Sequence, residues 1–304
     1  MSEDTAADTS SCCASCGIAE VDDIKLSECA DCDLAKYCSD ACQKEHKSQH
    51  EEACKKRAAE LRDEILFRQP ESSHLGDCPI CCLPLPLDLK KSVMQACCSK
   101  IICKGCSHAN GMREIEGSLQ QRCPFCRKPS IETDEEGDKR WMKRIEANDS
   151  VAVTQKGIQQ FKKGDYSSAF EYFTRAAELG DVEAHYSLSC TYRDGHGVEK
   201  DTEKKMYHQK LAAIGGHPSA RLNLACSEGK CGNIERAVQH FIIAATQVDD
   251  ESIKALMSAF KGGEVRKDVL AAALRAHQAA VDATKSPQRD AAEAYYRNKD
   301  SINA

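Results

Sequence analysis

The chain has 304 residues and a formal net charge of -6, with 41% apolar residues but only 5% aromatics. That length holds roughly two or three domains, and no apolar stretch approaches the ~20 residues a membrane helix needs. The acidic balance offers no general field for a polyanion, which argues against nucleic acid as the partner, and the shortage of aromatics points to closely packed helices with cores of Leu, Ile and Ala.

Cysteine is used unevenly. Of 20 cysteines, 17 lie between Cys12 and Cys126. Only Cys190, Cys226 and Cys231 lie beyond, without metal spacing, and they are expected to be small buried residues. The opening MSEDTAADTS is acidic where a signal peptide would be basic and then apolar. The expected setting is therefore intracellular, cytoplasmic or nuclear, without membrane attachment. In a reducing compartment repeated C-x2-C pairs hold metal more often than disulfides.

Residues 1–11 have no apolar period and are expected to be a solvated tail. The first cluster, in 12–54, runs Cys13, Cys16, Cys29, Cys32, Cys38, Cys42, His50 and Cys54. Eight such ligands fill two tetrahedral zinc sites. A segment this short buries too little apolar surface to fold alone, so metal would supply most of its folding free energy. Cys12 is the alternative to Cys13, and His46 the alternative to His50. The spacing, the YCSDACQKEH segment and the late H-x3-C resemble the MYND zinc finger. The resemblance implies interleaved sites, with Cys13, Cys16, Cys38 and Cys42 on one zinc and Cys29, Cys32, His50 and Cys54 on the other. It also implies a peptide groove at Gln43, but Lys47 stands where the family has a tryptophan.

Residues 55–77 read as a helical linker whose helix stops at Pro70. The second cluster, in 78–130, contains Cys78, Cys81, Cys97, Cys98, Cys103, Cys106, Cys123 and Cys126. Its three C-x2-C pairs around a central cysteine resemble a RING finger. The resemblance implies one site of Cys78, Cys81, Cys103 and Cys106, and a second with Cys98, Cys123 and Cys126 at three corners. Lys100 stands where that family has its histidine ligand, so the fourth corner falls to Cys97, with His108 in reserve, and Cys82 reads as a small buried residue. Four zinc ions are then expected, two per finger. By the same resemblance Ile80, Pro124 and Arg127 would contact a ubiquitin-conjugating enzyme, and catalysis would be by positioning, with no nucleophile of the chain's own.

Residues 131–146 read as a charged linker, with Trp141 covering the first repeat. From 147 to 285 a repeat sets in. Ala152, Ala184, Ala220 and Ile253 recur at intervals in the thirties, each followed five residues later by a small residue: Gly157, Ser189, Ala225, Ser258. Ala-Ala pairs recur at 176–177, 212–213, 244–245 and 279–280, with a glycine-bearing breaker between the anchors. This is the signature of stacked helical hairpins. The stretch resembles Sel-one-like repeats, relatives of the tetratricopeptide repeat, and most closely at 181–216; such repeats imply protein partners in a groove. Residues 286–304 read as a polar capping helix and tail. The histidines of the repeats show no pairing that suggests another metal or catalytic centre, and no phosphate loop, serine elbow or H-E-x-x-H occurs.

The expected architecture is thus small zinc-stabilised α+β modules followed by an all-α solenoid. Two functions fit: a RING-type ubiquitin ligase whose other modules hold the substrate, and a non-enzymatic interaction adaptor.

Overall fold

The computed structural model describes residues 12–21, 23–130 and 133–302. Two compact units divide the chain, one ending at Arg68 and the other beginning at Gln69.

In the first unit β1 (Ser27–Glu28) pairs antiparallel with β2 (Lys36–Tyr37), Ser27 opposite Tyr37. Helix α1 (Asp40–Leu66) follows, its first turn capped by Ser39, whose side chain accepts from the Cys42 amide. The buried cluster is Cys13, Cys29, Cys32, Ala35 and Tyr37. A core made mostly of cysteine supplies little hydrophobic stabilisation, so the fold depends on what those thiols bind. Helix α1 runs on from the ligand region as one piece through Leu66, and Arg57 ties it back with a fork onto both carboxylate oxygens of Asp33, each at 2.7 Å.

The second unit opens with the other cysteine-rich module. After a 3-10 turn at Leu89–Lys91, β3 (Ser92–Met94) pairs antiparallel with β4 (Ile101–Cys103), and α2 (Lys104–Glu116) follows. Cys78, Leu85, Ile102, Cys103 and Cys106 form its core. The charged stretch after it contains helix α3 (Asp134–Glu146) where a linker was expected. Thr133 caps that helix by accepting from the Glu136 amide, and the Glu136 and Arg140 pair lies one turn apart. These local bonds outweigh the effect of Gly137 in its first turn. Trp141 packs against the core of the first repeat.

The repeats form four hairpins: α4 (Ser150–Lys162) with α5 (Tyr166–Glu178), α6 (Val182–Asp194) with α7 (Thr202–Ile214), α8 (Pro218–Lys230) with α9 (Ile234–Ala245), and α10 (Asp250–Lys261) with α11 (Lys267–Ala283). Asp149, Asp165, Asp181, Asp201 and Asp249 each cap a helix start, accepting a backbone N–H from the first turn. The recurring small residues are where backbones meet: Ala152, Ala184, Ala220, Ala176, Ala212 and Ala244 are wholly buried. A Cβ on Gly157 would lie 2.7 Å from the Phe173 ring, so only glycine fits there. The fourth hairpin departs from the pattern. Ser258 and Ala279 are exposed, and α11 buries Ala273 instead.

Two chain segments pack onto these elements. The stretch before the second module runs along the repeats, with the His74 amide donating to Gly216 O at 3.0 Å and Gln247 Nε2 donating to Ser72 O at 3.0 Å. The C-terminal helix α12 (Pro287–Ile302) lies against α2 of the cysteine-rich module. Arg289 anchors it, donating to Pro84 O at 2.7 Å, Leu83 O at 3.1 Å and Thr284 O at 2.7 Å. Lys91 pairs with Glu293, and the Lys104 ammonium lies over the Tyr296 ring.

Candidate metal centres

The cysteines and His50 gather into four tetrads: Cys13, Cys16, Cys38 and Cys42; Cys29, Cys32, His50 and Cys54; Cys78, Cys81, Cys103 and Cys106; and Cys97, Cys98, Cys123 and Cys126. In each module the first and third pairs along the chain meet, and the second and fourth, so each chain segment is crossed by another. Two knuckles held this way cannot separate without losing a ligand, which is how metal replaces a core.

The spacing of the sulfurs can be tested against a tetrahedron. Zinc–sulfur bonds of ~2.3 Å place thiolates roughly 3.8 Å apart, whereas a disulfide would bring them to ~2.05 Å. Cys16 and Cys38 lie 3.5 Å apart, Cys38 and Cys42 3.6 Å, Cys29 and Cys54 3.7 Å, Cys81 and Cys103 3.8 Å, and Cys98 and Cys123 3.9 Å. Cys97 and Cys126 are closer, at 3.3 Å. His50 Nε2 is 3.1 Å from Cys32 Sγ.

The electrostatics suit a divalent cation in such tetrads. Hydrogen bonds with Cys16 and Cys42 hold the Cys38 thiol up, to about 12. Burial, with Cys29 and Cys32, pushes Cys54 up to about 12 as well, and burial pushes Cys98 up to about 11. Four thiols in contact cannot all ionise unless a dication neutralises them, and a dication is what a thiolate tetrad selects. The third tetrad has a further device. Burial raises the Cys81 thiol, but the Leu83 backbone and the Arg289 guanidinium, 3.4 Å from Sγ, outweigh it and bring Cys81 down to about 7. A metal held by any of these tetrads would have all four positions filled by protein, the form of a structural rather than a catalytic site.

The alternatives sort by position. Cys12 is exposed, and His46 turns Nδ1 toward the Tyr37 hydroxyl at 3.2 Å. His108 lies against Tyr295 and Tyr296 on α12. Cys82 is exposed in a left-handed turn, φ 53°, rather than buried. Cys190 is half-buried and Cys226 and Cys231 are exposed, so the expectation of small buried cysteines in the repeats fails at helix surfaces. Ile80 and Phe125 are each 42% exposed on the second module. Arg127 lies at the surface with its side chain 48% exposed, Nη1 donating to Asn110 Oδ1 at 3.1 Å and Nη2 3.7 Å from the buried Glu114 carboxylate. Gln43 and Lys47 line one cavity of about 590 Å³ beside Tyr37 and His50.

A fifth cluster had no signal in the sequence. His74 Nε2 and His217 Nε2 lie 3.3 and 3.2 Å from Glu183 Oε2, with the two imidazoles stacked at 4.3 Å. His74 precedes the second module, Glu183 lies in the first turn of α6 and His217 caps α8, so no spacing rule could have joined them.

Residues 13–54 match the MYND finger, and residues 153–181, 182–217 and 218–249 each match the Sel1 repeat. The chain carries a MYND finger and Sel1 repeats. The finger implies zinc, and both modules are of the protein-interaction kind. The departing fourth hairpin lies beyond the matched repeats. Among curated proteins, the chain is 39% identical over 57 residues to mouse DAP3-binding cell death enhancer 1 and 34% identical over 55 residues to its rat counterpart. Each match covers 18% of this chain and 11% of that relative, so the chain spans only about a ninth of their length. Among solved structures, a Sel1 repeat protein from Oxalobacter formigenes is similar at 24% identity, over 58% of this chain and 71% of that one, with a TM-score of 0.43. The protective antigen c5321 of uropathogenic Escherichia coli is similar at 26% identity, over 48% and 33%, with a TM-score of 0.40. No helix among the described residues is long and apolar enough to cross a membrane.

Proposed function

We propose that this chain is a zinc-braced adaptor that holds protein partners on its MYND finger and its Sel1 repeats. The observation that carries the reading is the closure of all four tetrads by protein ligands. Such sites fix surfaces and leave no position for a reacting water or substrate. We assign one zinc ion to each tetrad, four in all, with Cys97 rather than His108 as the fourth ligand of the last. In this reading the second module is RING-like in its crossed ligand order and serves as a rigid face.

A second reading, a RING-type ubiquitin ligase, is favoured by one feature, the exposed Ile80 on the first knuckle of that module. Arg127 donates to Asn110 Oδ1 yet keeps its side chain half exposed, so it favours neither reading. The test is a conjugation assay with zinc-loaded full-length protein, ubiquitin, activating enzyme and a panel of conjugating enzymes. The adaptor reading expects no ubiquitin chains. Chains that vanish in Ile80→Ala would establish the ligase. The adaptor itself is tested by crosslinking the full chain to captured partners, with crosslinks expected within 13–54 and 153–249.

A further inference from the structure

A groove of about 660 Å³ runs between the second module and the first repeats, within the ~300–1,000 Å³ typical of ligand sites. One wall is the β3 and β4 hairpin, which presents Ser92, Met94 and Ile101. Opposite it α4 contributes Val151, Thr154, Ile158 and Lys162, spaced three and four residues apart and so on one helix face. One end of the groove is polar, formed by His74, Glu183 and His217.

The chemistry of that end is set by hydrogen bonding. His217 Nδ1 accepts from the Ala220 amide as the cap of α8. Its proton is therefore on Nε2, which donates to Glu183 Oε2. A cation between the histidines would need the Nε2 lone pair that this tautomer lacks, and rings stacked in parallel do not aim at a common ion. The cluster is thus a carboxylate held by two imidazoles rather than a fifth metal site. Both imidazoles converge on Oε2, which leaves Oε1 to meet a positive group. His74, nine-tenths buried, has an unpartnered Nδ1 on the same wall, and Ser92 Oγ is likewise unpartnered. Asp181, two residues from Glu183, lines the groove close to Thr154, which sets the acidic end beside that turn of α4. Lys162 lies two turns on, about 12 Å along the axis, so the groove is acidic at one end, basic at the other and apolar between.

We propose that this groove binds a short extended segment of a partner protein, with an arginine or lysine at Glu183, bulky apolar side chains between the ends and an acidic residue at Lys162. Five extended residues set their first and last side chains on the same face roughly 13 Å apart, which fits the ~12 Å along α4 from Thr154 to Lys162. The proposal rests on the adaptor reading and names what the adaptor recognises.

The test is fluorescence anisotropy of the zinc-loaded full chain with the labelled pentapeptide Arg-Leu-Leu-Leu-Glu, made in both chain directions. One direction is expected to bind saturably. Glu183→Gln should weaken it at least tenfold. Lys162→Glu, at an exposed position, should weaken it tenfold and transfer the preference to Arg-Leu-Leu-Leu-Arg, with an unchanged melting temperature showing that the fold is kept. Flat titrations for both directions, equal binding of Glu-Leu-Leu-Leu-Glu, or binding indifferent to both substitutions would overturn the proposal. Because the titration uses no natural partner, its failure leaves the adaptor reading standing, whereas the absence of partner crosslinks anywhere on the chain would remove both.

Discussion

Arg289→Ala should release the C-terminal helix while leaving the repeats folded. The guanidinium donates to Pro84 O, Leu83 O and Thr284 O and lies 3.4 Å from Cys81 Sγ, so one side chain joins α12 to the first knuckle of the second module. A hydrogen bond from a charged donor contributes about 1.5–3 kcal/mol, and several from one half-buried group are far from additive. A loss of about 2–3 kcal/mol in the docking of α12 follows, or roughly 30- to 150-fold in its opening equilibrium. Amide hydrogen exchange reads this directly, because local opening sets the exchange rate of a docked helix. Protection across Pro287–Ile302 should fall by that factor, with α4 to α9 unchanged. Arg289→Lys retains a charge near Cys81 without the fork and should lie between the two. Unchanged exchange in α12, or an equal rise across all the repeats, would refute the assignment of Arg289 as the anchor.

Other substitutions test the rest of the architecture. Cys97→Ser should lower the zinc content by about one ion per chain, whereas His108→Ala should leave it unchanged, as counted by native mass spectrometry. Gly157→Ala places a Cβ 2.7 Å from the Phe173 ring and should destabilise the first hairpin by about 1–2 kcal/mol net of the alanine's helix preference, visible as a lower melting temperature. Burial, with the neighbouring His185 and Lys204, holds His208 down at about 4. The unfolded chain therefore takes up that proton first as pH falls through about 6.5, so stability should decline toward pH 4 and then level off. His208→Gln should flatten that part of a denaturation-versus-pH profile.

The cysteine tetrads and the helical hairpins were legible because each leaves a short-range mark. C-x2-C pairs show which thiols share a knuckle, and Ala152, Ala184 and Ala220 mark where backbones touch. What escaped the sequence lies in long-range contacts between groups with no characteristic spacing. Arg289 reaches backbone carbonyls some two hundred positions away, and carbonyls carry no sequence identity. The same holds for His74, Glu183 and His217, which only the packing of residues 72–75 along the repeats brings together. The acidic run and Gly137 hide the start of helix α3 at Asp134, where in the folded chain the Thr133 cap prevails. The fourth repeat showed its Ala-Ala pair but not its burial, since Ala279 faces solvent and Ala273 takes the core position.

The central claim is that protein ligands alone close every metal site, so that zinc here builds binding surfaces. X-ray absorption on the zinc-loaded chain, with the metal counted on the same sample, tests it most directly. The account predicts about four ions per chain, with a dominant sulfur shell near 2.3 Å and a minor nitrogen contribution near 2.0 Å from His50. About two ions per chain, or an oxygen-bearing shell that marks an open coordination position, would contradict it.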